Sequence, residues 1–258
     1  MDINRYYEEQ GSGSPIVFIH GSYATTSTWK KMVDSLAENH HCICIKLPGH
    51  GGMPAPTDFA DPLMETELAI IEKLVRKLTT EPIHLVAHSF GGVIALAQLL
   101  KGSLEIAEIT LFEPVAVWLL DRVKDDEMLA RVDTFLHKYR QDAANNVPHV
   151  GGQVIDFWGG AGAYDPLPDF IKESMAPLVS NNIRHWDLNA KSTASLEDLN
   201  RCKVPMRVVY GSESNPVAKA ICQHLAQQVP KCTTYTVDGA SHFLVTTHPR
   251  ECVAAMTA

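Results

Sequence analysis

The sequence predicts an α/β fold: a mostly parallel sheet flanked by helices, with a helical insertion. Three observations predict it. Short apolar runs recur along the chain, helical patterns fall between them, and one long interval breaks the alternation. A chain of 258 residues has the length of one large domain or two small ones, and it can bury a substantial core.

The elements follow in order. Pro15 to Ile19 is an apolar run closed by His20-Gly21-Ser22, as expected of a strand covered on both faces. Trp29, Met32, Val33 and Leu36 form the stripe of a helix. Cys42 to Leu47 is the next strand, ended by the turn Pro48-Gly49-His50-Gly51-Gly52. From about Leu63 to Leu78, the spacing of Leu68, Ile71, Val75 and Leu78 predicts a second amphipathic helix. Pro82 to Ala87 is strand-like, Gly91 to Leu100 a largely apolar helix, and Ile106 to Phe112 a strand again. Beyond residue 200 come Pro205 to Tyr210 (strand), Val217 to Val229 (helix) and Cys232 to Val237 (strand). Such alternation implies a parallel sheet with helices on both faces.

Between residues 114 and 200 the rhythm stops. Leu129, Val132, Leu136 and Tyr139 are spaced as in a helix, and no run reads as a strand. The expected organisation is a core of residues 1–113 and 201–258 and a helical cap of residues 114–200 lying over the carboxyl edge of the sheet. This interval holds eight of the nineteen aromatics. Most are expected to pack the cap, with Trp118, Phe157, Trp158 and Trp186 the candidates to line a pocket.

Composition excludes several classes. Net charge is -8, from 22 basic and 30 acidic residues, and no run of Lys or Arg exceeds two, so nucleic acid is not an expected partner. The longest apolar stretch, Val115 to Leu120, is too short to span a bilayer. Met1-Asp2-Ile3-Asn4-Arg5 lacks the pattern of a secretory signal, which leaves a cytoplasmic location as the expectation. The six cysteines form no C-x-x-C pair and read as reduced, mostly buried residues. The twelve histidines include no H-x-x-x-H pair on a plausible helix, so no metal is expected. Gly159-Gly160-Ala161-Gly162-Ala163 follows no strand and lacks G-x-G-x-x-G spacing, so it reads as a cap turn and no cofactor is expected. Nothing fixes the oligomeric state, and a homodimer stays open.

The strongest chemical signal is Ile83-His84-Leu85-Val86-Ala87-His88-Ser89-Phe90-Gly91-Gly92. A strand turns directly into a helix with Ser89 at the corner, the arrangement of a nucleophile elbow with Ala87 in place of the first Gly of G-x-S-x-G. Small residues flank such a serine because the strained turn brings positions two before and two after it together. The corner sets the hydroxyl at a helix N-terminus, where the Phe90 N–H is free to stabilise an oxyanion. The Gly in His20-Gly21-Ser22-Tyr23 lets the backbone turn so that the Ser22 N–H points to the same place.

With these motifs, the turn Leu47-Pro48-Gly49-His50-Gly51 and the late segment Gly239-Ala240-Ser241-His242-Phe243, the chain resembles the α/β-hydrolase fold family. The resemblance implies an eight-stranded, mostly parallel sheet with the cap inserted after strand six. It also implies a serine–acid–histidine set in that chain order. His242 stands where this family carries its base. His20 and His50 are expected to support loops, while His88 is expected to leave the elbow in another direction. The acid departs from the commonest pattern. Most relatives place an Asp after the seventh strand, in a segment like Gly211-Ser212-Glu213-Ser214, but the usual position is Ser214 here. Other branches, some haloalkane dehalogenases among them, carry a Glu at the end of the sixth strand, and Glu113 stands there, 24 residues after Ser89. A carboxylate after so apolar a strand is costly to bury without a partner. Glu113 is therefore the first choice, Glu213 the alternative acid, and Asp238 a weaker one.

The expected chemistry is acyl transfer on a small-molecule acyl substrate. The bond is a small or medium carboxylic ester, thioester or lactone. The same residues serve C–C bond hydrolases, lyases and cofactor-free perhydrolases, which form the alternative. A ligand-binding protein that keeps the fold with little turnover stands last.

Overall fold

Among the described residues seven strands build one sheet: β1 (Tyr7–Gln10), β2 (Ser14–Ile19), β3 (His40–Ile45), β4 (Ile83–His88), β5 (Ile106–Phe112), β6 (Met206–Gly211) and β7 (Cys232–Val237). The computed structural model describes residues 3–257, so Met1 and Asp2 of the opening stretch and the terminal Ala258 lie outside the described residues. The strand order is β1-β3-β2-β4-β5-β6-β7, with β1 antiparallel to β3 and every other pairing parallel. Central strands are apolar throughout because both their faces are covered: in β2 every residue after Ser14 is buried. The α/β class and the parallel sheet are as the sequence predicts.

The count differs by one from the eight strands that the family resemblance implies. Ahead of β1 the chain makes only a 3-10 turn, Ile3–Arg5, so no described residues remain for another strand. The edge strand β1 reads Tyr-Glu-Glu-Gln and is largely exposed, which is why no apolar run announced it. The helical insertion accordingly follows the fifth strand of this sheet.

Among the described residues twelve α-helices surround the sheet. Three lie before or between the early strands: α1 (Lys30–Leu36), α2 (Glu65–Leu78) and α3 (Phe90–Lys101). Between β5 and β6 come α4 (Trp118–Val123), α5 (Asp126–Ala144), α6 (Gly152–Gly159), α7 (Asp169–Met175), α8 (Val179–Ala190) and α9 (Leu196–Asn200), with no strand among them. The chain ends with α10 (Pro216–Gln228), α11 (Leu244–Thr247) and α12 (Pro249–Thr257). Among the described residues no helix is long and apolar enough to cross a membrane.

The sheet separates two apolar layers. On one side Leu68, Ile71 and Leu74 of α2, Ile94 of α3 and Ile221 of α10 pack with residues of the helical insertion. On the other, Trp29 and Met32 meet Cys252 and Met256 of α12. Trp29 anchors that layer, with its ring 5.1 Å from Phe18 and 6.2 Å from Phe112. Burying a side chain of this size stabilises the fold by about 3 kcal/mol.

The helix α8 is tied to the sheet edge by polar side chains. Arg184, fully buried, holds the Asp58 carboxylate with two bonds of 2.6 and 2.8 Å and also pairs with Glu67 of α2. Asn181 donates to the Pro48 carbonyl at 2.9 Å. Asn189 donates to the Val115 carbonyl and accepts from the Trp118 N–H at 3.3 Å. These bonds fix α8 above the carboxyl ends of the strands.

Candidate active site

β4 ends at His88 and α3 begins at Phe90, which leaves Ser89 alone at the corner, with φ 57° and ψ -125°. That is a left-handed φ for a residue with a Cβ, and such strain persists only where the surroundings over-determine it. They do so here. The Ser89 N–H donates to the Phe112 carbonyl at 3.0 Å, and its carbonyl accepts from Gly92 at 2.9 Å. A Cβ on Gly91 would lie 2.4 Å from the Ile19 carbonyl oxygen, so only glycine lets α3 start this close to β2.

His242 follows β7 in a loop whose Ala240 carbonyl accepts the Glu213 N–H at 2.9 Å. Its Nε2 lies 3.0 Å from Ser89 Oγ, and its Nδ1 lies 2.8 Å from Glu113 Oε2. An ionised carboxylate only accepts, so Nδ1 carries the proton and donates to Glu113. Nε2 is left to accept from the serine hydroxyl. Ser89, His242 and Glu113, far apart in sequence, thus form one hydrogen-bonded chain.

Glu113 is fully buried, just past the end of β5, with φ 43°. A buried carboxylate is tolerable only when every lone pair finds a donor. Oε1 accepts from the Gly211 N–H at 2.9 Å and from the Ser214 hydroxyl, while Oε2 takes the imidazole. Ser214, at the position where the family resemblance leads one to expect the acid, is here a donor to it. Glu213 is exposed, and Asp238 is exposed and faces Ser212 at 3.3 Å, so neither is brought to the imidazole.

The remaining two expected residues sit beside the serine. A Cβ on Gly21 would come within 2.7 Å of Ser89 Cβ, so the His20-Gly21-Ser22 turn passes against the corner with no room to spare. Among the described residues no carbonyl of a turn or loop takes the N–H of Ser22 or of Phe90. Phe90 opens α3, where the first N–H groups have no intrahelical acceptor. Ser22, Ser89, Phe90 and His242 line one cavity of about 520 Å³.

The sequence profile of the alpha/beta hydrolase family matches residues 16–255. The chain belongs to the alpha/beta hydrolase family. It is a hydrolase. Human monoacylglycerol lipase ABHD6 (Homo sapiens) is 21% identical over 258 aligned residues, which cover 93% of this chain and 73% of the lipase. Among solved structures, an esterase from Exiguobacterium antarcticum superposes with a TM-score of 0.73 at 18% identity, over 98% of this chain and 93% of the other. Est816, an N-acyl homoserine lactone degrading enzyme, gives 0.75 at 18% identity, over 98% and 95%. Likeness at these identities is likeness of fold.

In this alpha/beta hydrolase the cavity walls are largely apolar. Trp158 of α6 stacks 5.5 Å from the His242 ring and 6.0 Å from Trp186 of α8, so two of the four aromatics singled out in the sequence face the cavity. The other two do not. Phe157 stacks on Phe135 at 4.1 Å, and Trp118 lines a separate pocket between α3 and α8. His20 and His50 support loops as expected: the His20 ring accepts the Leu47 N–H at 3.2 Å, and His50 bonds the Pro48 carbonyl at 3.0 Å. His88 does not leave the neighbourhood. Its Nε2 donates to the His242 carbonyl at 2.8 Å, and it lines the cavity. Burial, with the His242 ring adding to it, pushes the His88 imidazole down to about 3, so this bond is made by a neutral ring.

Sequence reasoning missed His185 and Asn182 of α8, which also line the cavity. His185 stacks on Phe90 at 3.8 Å and bonds the Ser22 hydroxyl at 2.7 Å through Nδ1. Burial holds its imidazole well below the ordinary histidine range. No local motif marks either residue, because what places them is the docking of α8.

Proposed function

We propose that this protein is a serine hydrolase that cleaves a small or medium carboxylic ester, thioester or lactone through an acyl-enzyme. What carries the proposal is the continuous chain from Ser89 Oγ to His242 Nε2 at 3.0 Å and from His242 Nδ1 to Glu113 Oε2 at 2.8 Å. His242 takes the Ser89 proton as the hydroxyl oxygen attacks the substrate carbonyl, and then delivers it to the leaving alcohol, thiol or ring oxygen. Glu113 fixes the imidazole tautomer and stabilises the imidazolium as it forms. The N–H groups of Ser22 and Phe90 hold the oxygen that gains negative charge. Water, activated by the same imidazole, releases the acid. A cavity of about 520 Å³ suits a substrate of modest size. The lipase, esterase and lactone-degrading relatives point towards ester and lactone bonds.

The test is hydrolysis of p-nitrophenyl acetate and butyrate, together with labelling by a fluorophosphonate located by mass spectrometry. Turnover lost in Ser89→Ala, with the label on Ser89, is the expected result. Label elsewhere, or turnover that survives Ser89→Ala, refutes it. Cleavage of a vinylogous diketone without ester turnover would move the protein to the C–C bond hydrolases.

A further inference from the structure

The cavity above Ser89 has a chemical bias that the hydrolytic machinery does not require. Among the described residues that line it there is no Lys, Arg, Asp or Glu. Two of its histidines, His88 and His185, are buried and held neutral. A carboxylate, phosphate or ammonium on the substrate would lose its hydration there without gaining a counter-charge, which is strongly unfavourable.

Three buried polar atoms of that wall have no hydrogen-bond partner, His88 Nδ1, His185 Nε2 and Asn182 Oδ1, and each histidine is already bonded through its other nitrogen. α8 carries three buried asparagines besides its histidine: Asn181, Asn182 and Asn189. Asn181 and Asn189 donate to carbonyls of the core, and Asn181, whose Oδ1 is also unpartnered, does not line the cavity. Asn182, only 3% exposed, lines the cavity, and its Oδ1 has no hydrogen-bond partner. A buried amide oxygen without a partner is destabilising, and a substrate group that bonds this amide would offset that cost. Asn182 lies one helical turn before His185, the residue bonded to Ser22, so the two project from the same face of α8. A group reaching Asn182 therefore sits a few bonds from the reacting carbonyl.

We infer that Asn182 hydrogen-bonds a neutral polar group of the substrate, so that the protein selects an uncharged ester or lactone bearing a hydroxyl, keto or amide group. This rests on the ester-hydrolase proposal above. The donor and acceptor ends of one amide suit such groups, and the surrounding tryptophans and aliphatic side chains suit the hydrocarbon that carries them. Asn182 is a binding residue in this scheme and takes no part in proton transfer.

The experiment compares kcat/KM for ethyl hexanoate, 2-hydroxyethyl hexanoate, ethyl 6-hydroxyhexanoate and monoethyl adipate, in the wild type and in Asn182→Leu. In the wild type at least one hydroxy ester is expected to exceed ethyl hexanoate about tenfold, with monoethyl adipate about tenfold below it. In Asn182→Leu the hydroxy preference collapses towards parity and Tm does not fall, since the change removes an unsatisfied amide. Asn182→Ala, which adds no bulk, serves if the leucine does not fit. A wild type indifferent to the hydroxyl, one that prefers the adipate, a preference that survives both variants, or a clear fall in Tm overturns the inference. Should no ester be turned over, the hydrolase proposal fails separately. Binding to Ser89→Ala, followed by the fluorescence of Trp158 and Trp186, then decides. Tighter binding of 6-hydroxyhexanamide than of hexanamide, lost in Asn182→Leu, supports a polar subsite. Equal binding, or preference for hexanoate, refutes it.

Discussion

Replacing Glu113 by glutamine changes one atom and should nearly abolish turnover. The carboxylate accepts from three donors: the His242 ring at 2.8 Å, the Gly211 N–H at 2.9 Å, and the Ser214 hydroxyl. An amide in the same place has one acceptor and one donor end. The Gly211 N–H and the Ser214 hydroxyl on Oε1 hold the acceptor end towards themselves, which turns the NH₂ to His242. The imidazole must then accept at Nδ1, carry its proton on Nε2, and face Ser89 as a donor that cannot take the hydroxyl proton. A wrong tautomer of this kind lowers kcat about ten thousandfold, or roughly 5 kcal/mol of transition-state stabilisation.

The assay is kcat and KM on p-nitrophenyl butyrate, with Ser89→Ala defining the floor and thermal unfolding checking the fold. KM should change little, since Glu113 touches no cavity surface. Glu213→Gln, altering an exposed side chain, should match the wild type. A Glu113→Gln enzyme within tenfold of the wild type would refute the tautomer reasoning, and equal damage from Glu213→Gln would reassign the acid.

Three further outcomes follow from the same geometry. Gly21→Ala must push a Cβ away from a point 2.7 Å from Ser89 Cβ, so activity should fall about a hundredfold through displaced oxyanion donors, with Tm reduced more modestly. Glu113→Ala combined with Ser214→Asp should regain at least tenfold over Glu113→Ala, because residue 214 already reaches the Glu113 carboxylate; no recovery in kcat would show that the backbone at 214 cannot aim an acid at His242. Asp58→Asn should cost about 3 kcal/mol, read as Tm, by leaving the buried Arg184 with Glu67 as its one remaining carboxylate. The Arg184 guanidinium holds the Asp58 carboxyl well below the usual carboxylate range, so its contribution is present above the unfolded carboxylate pKa and is lost as pH falls through the folded one. Burial pushes Glu67 the other way, up to about 7, so the gap between wild-type and variant Tm, narrowing as the medium turns acid, isolates the Asp58 share.

How much of this was legible in the sequence depends on whether a residue's role is set locally. Ser89 is, because a strand running straight into a helix leaves one strained residue, and that strain demands the small neighbours Ala87 and Gly91. The parallel core strands are too, since burial on both faces leaves an unbroken apolar run. β1 was not, because an exposed edge strand needs no apolar residues. Nor was the role of Asn182, because an amide on a mixed helix looks the same whether it meets solvent, a carbonyl or a substrate; the docking of α8 through Arg184 decides. The acid falls between these cases. Glu113 and residue 214 end neighbouring strands, β5 and β6, and their side chains meet, and of the two only Glu113 presents an oxygen to Nδ1 of His242. The Ser214→Asp variant therefore tests whether the fold fixes the place of the carboxylate rather than the strand that supplies it. A serine at the commoner position is accordingly informative: with no charge of its own, it donates its hydroxyl to the acid reaching across from β5, as a second aspartate there could not.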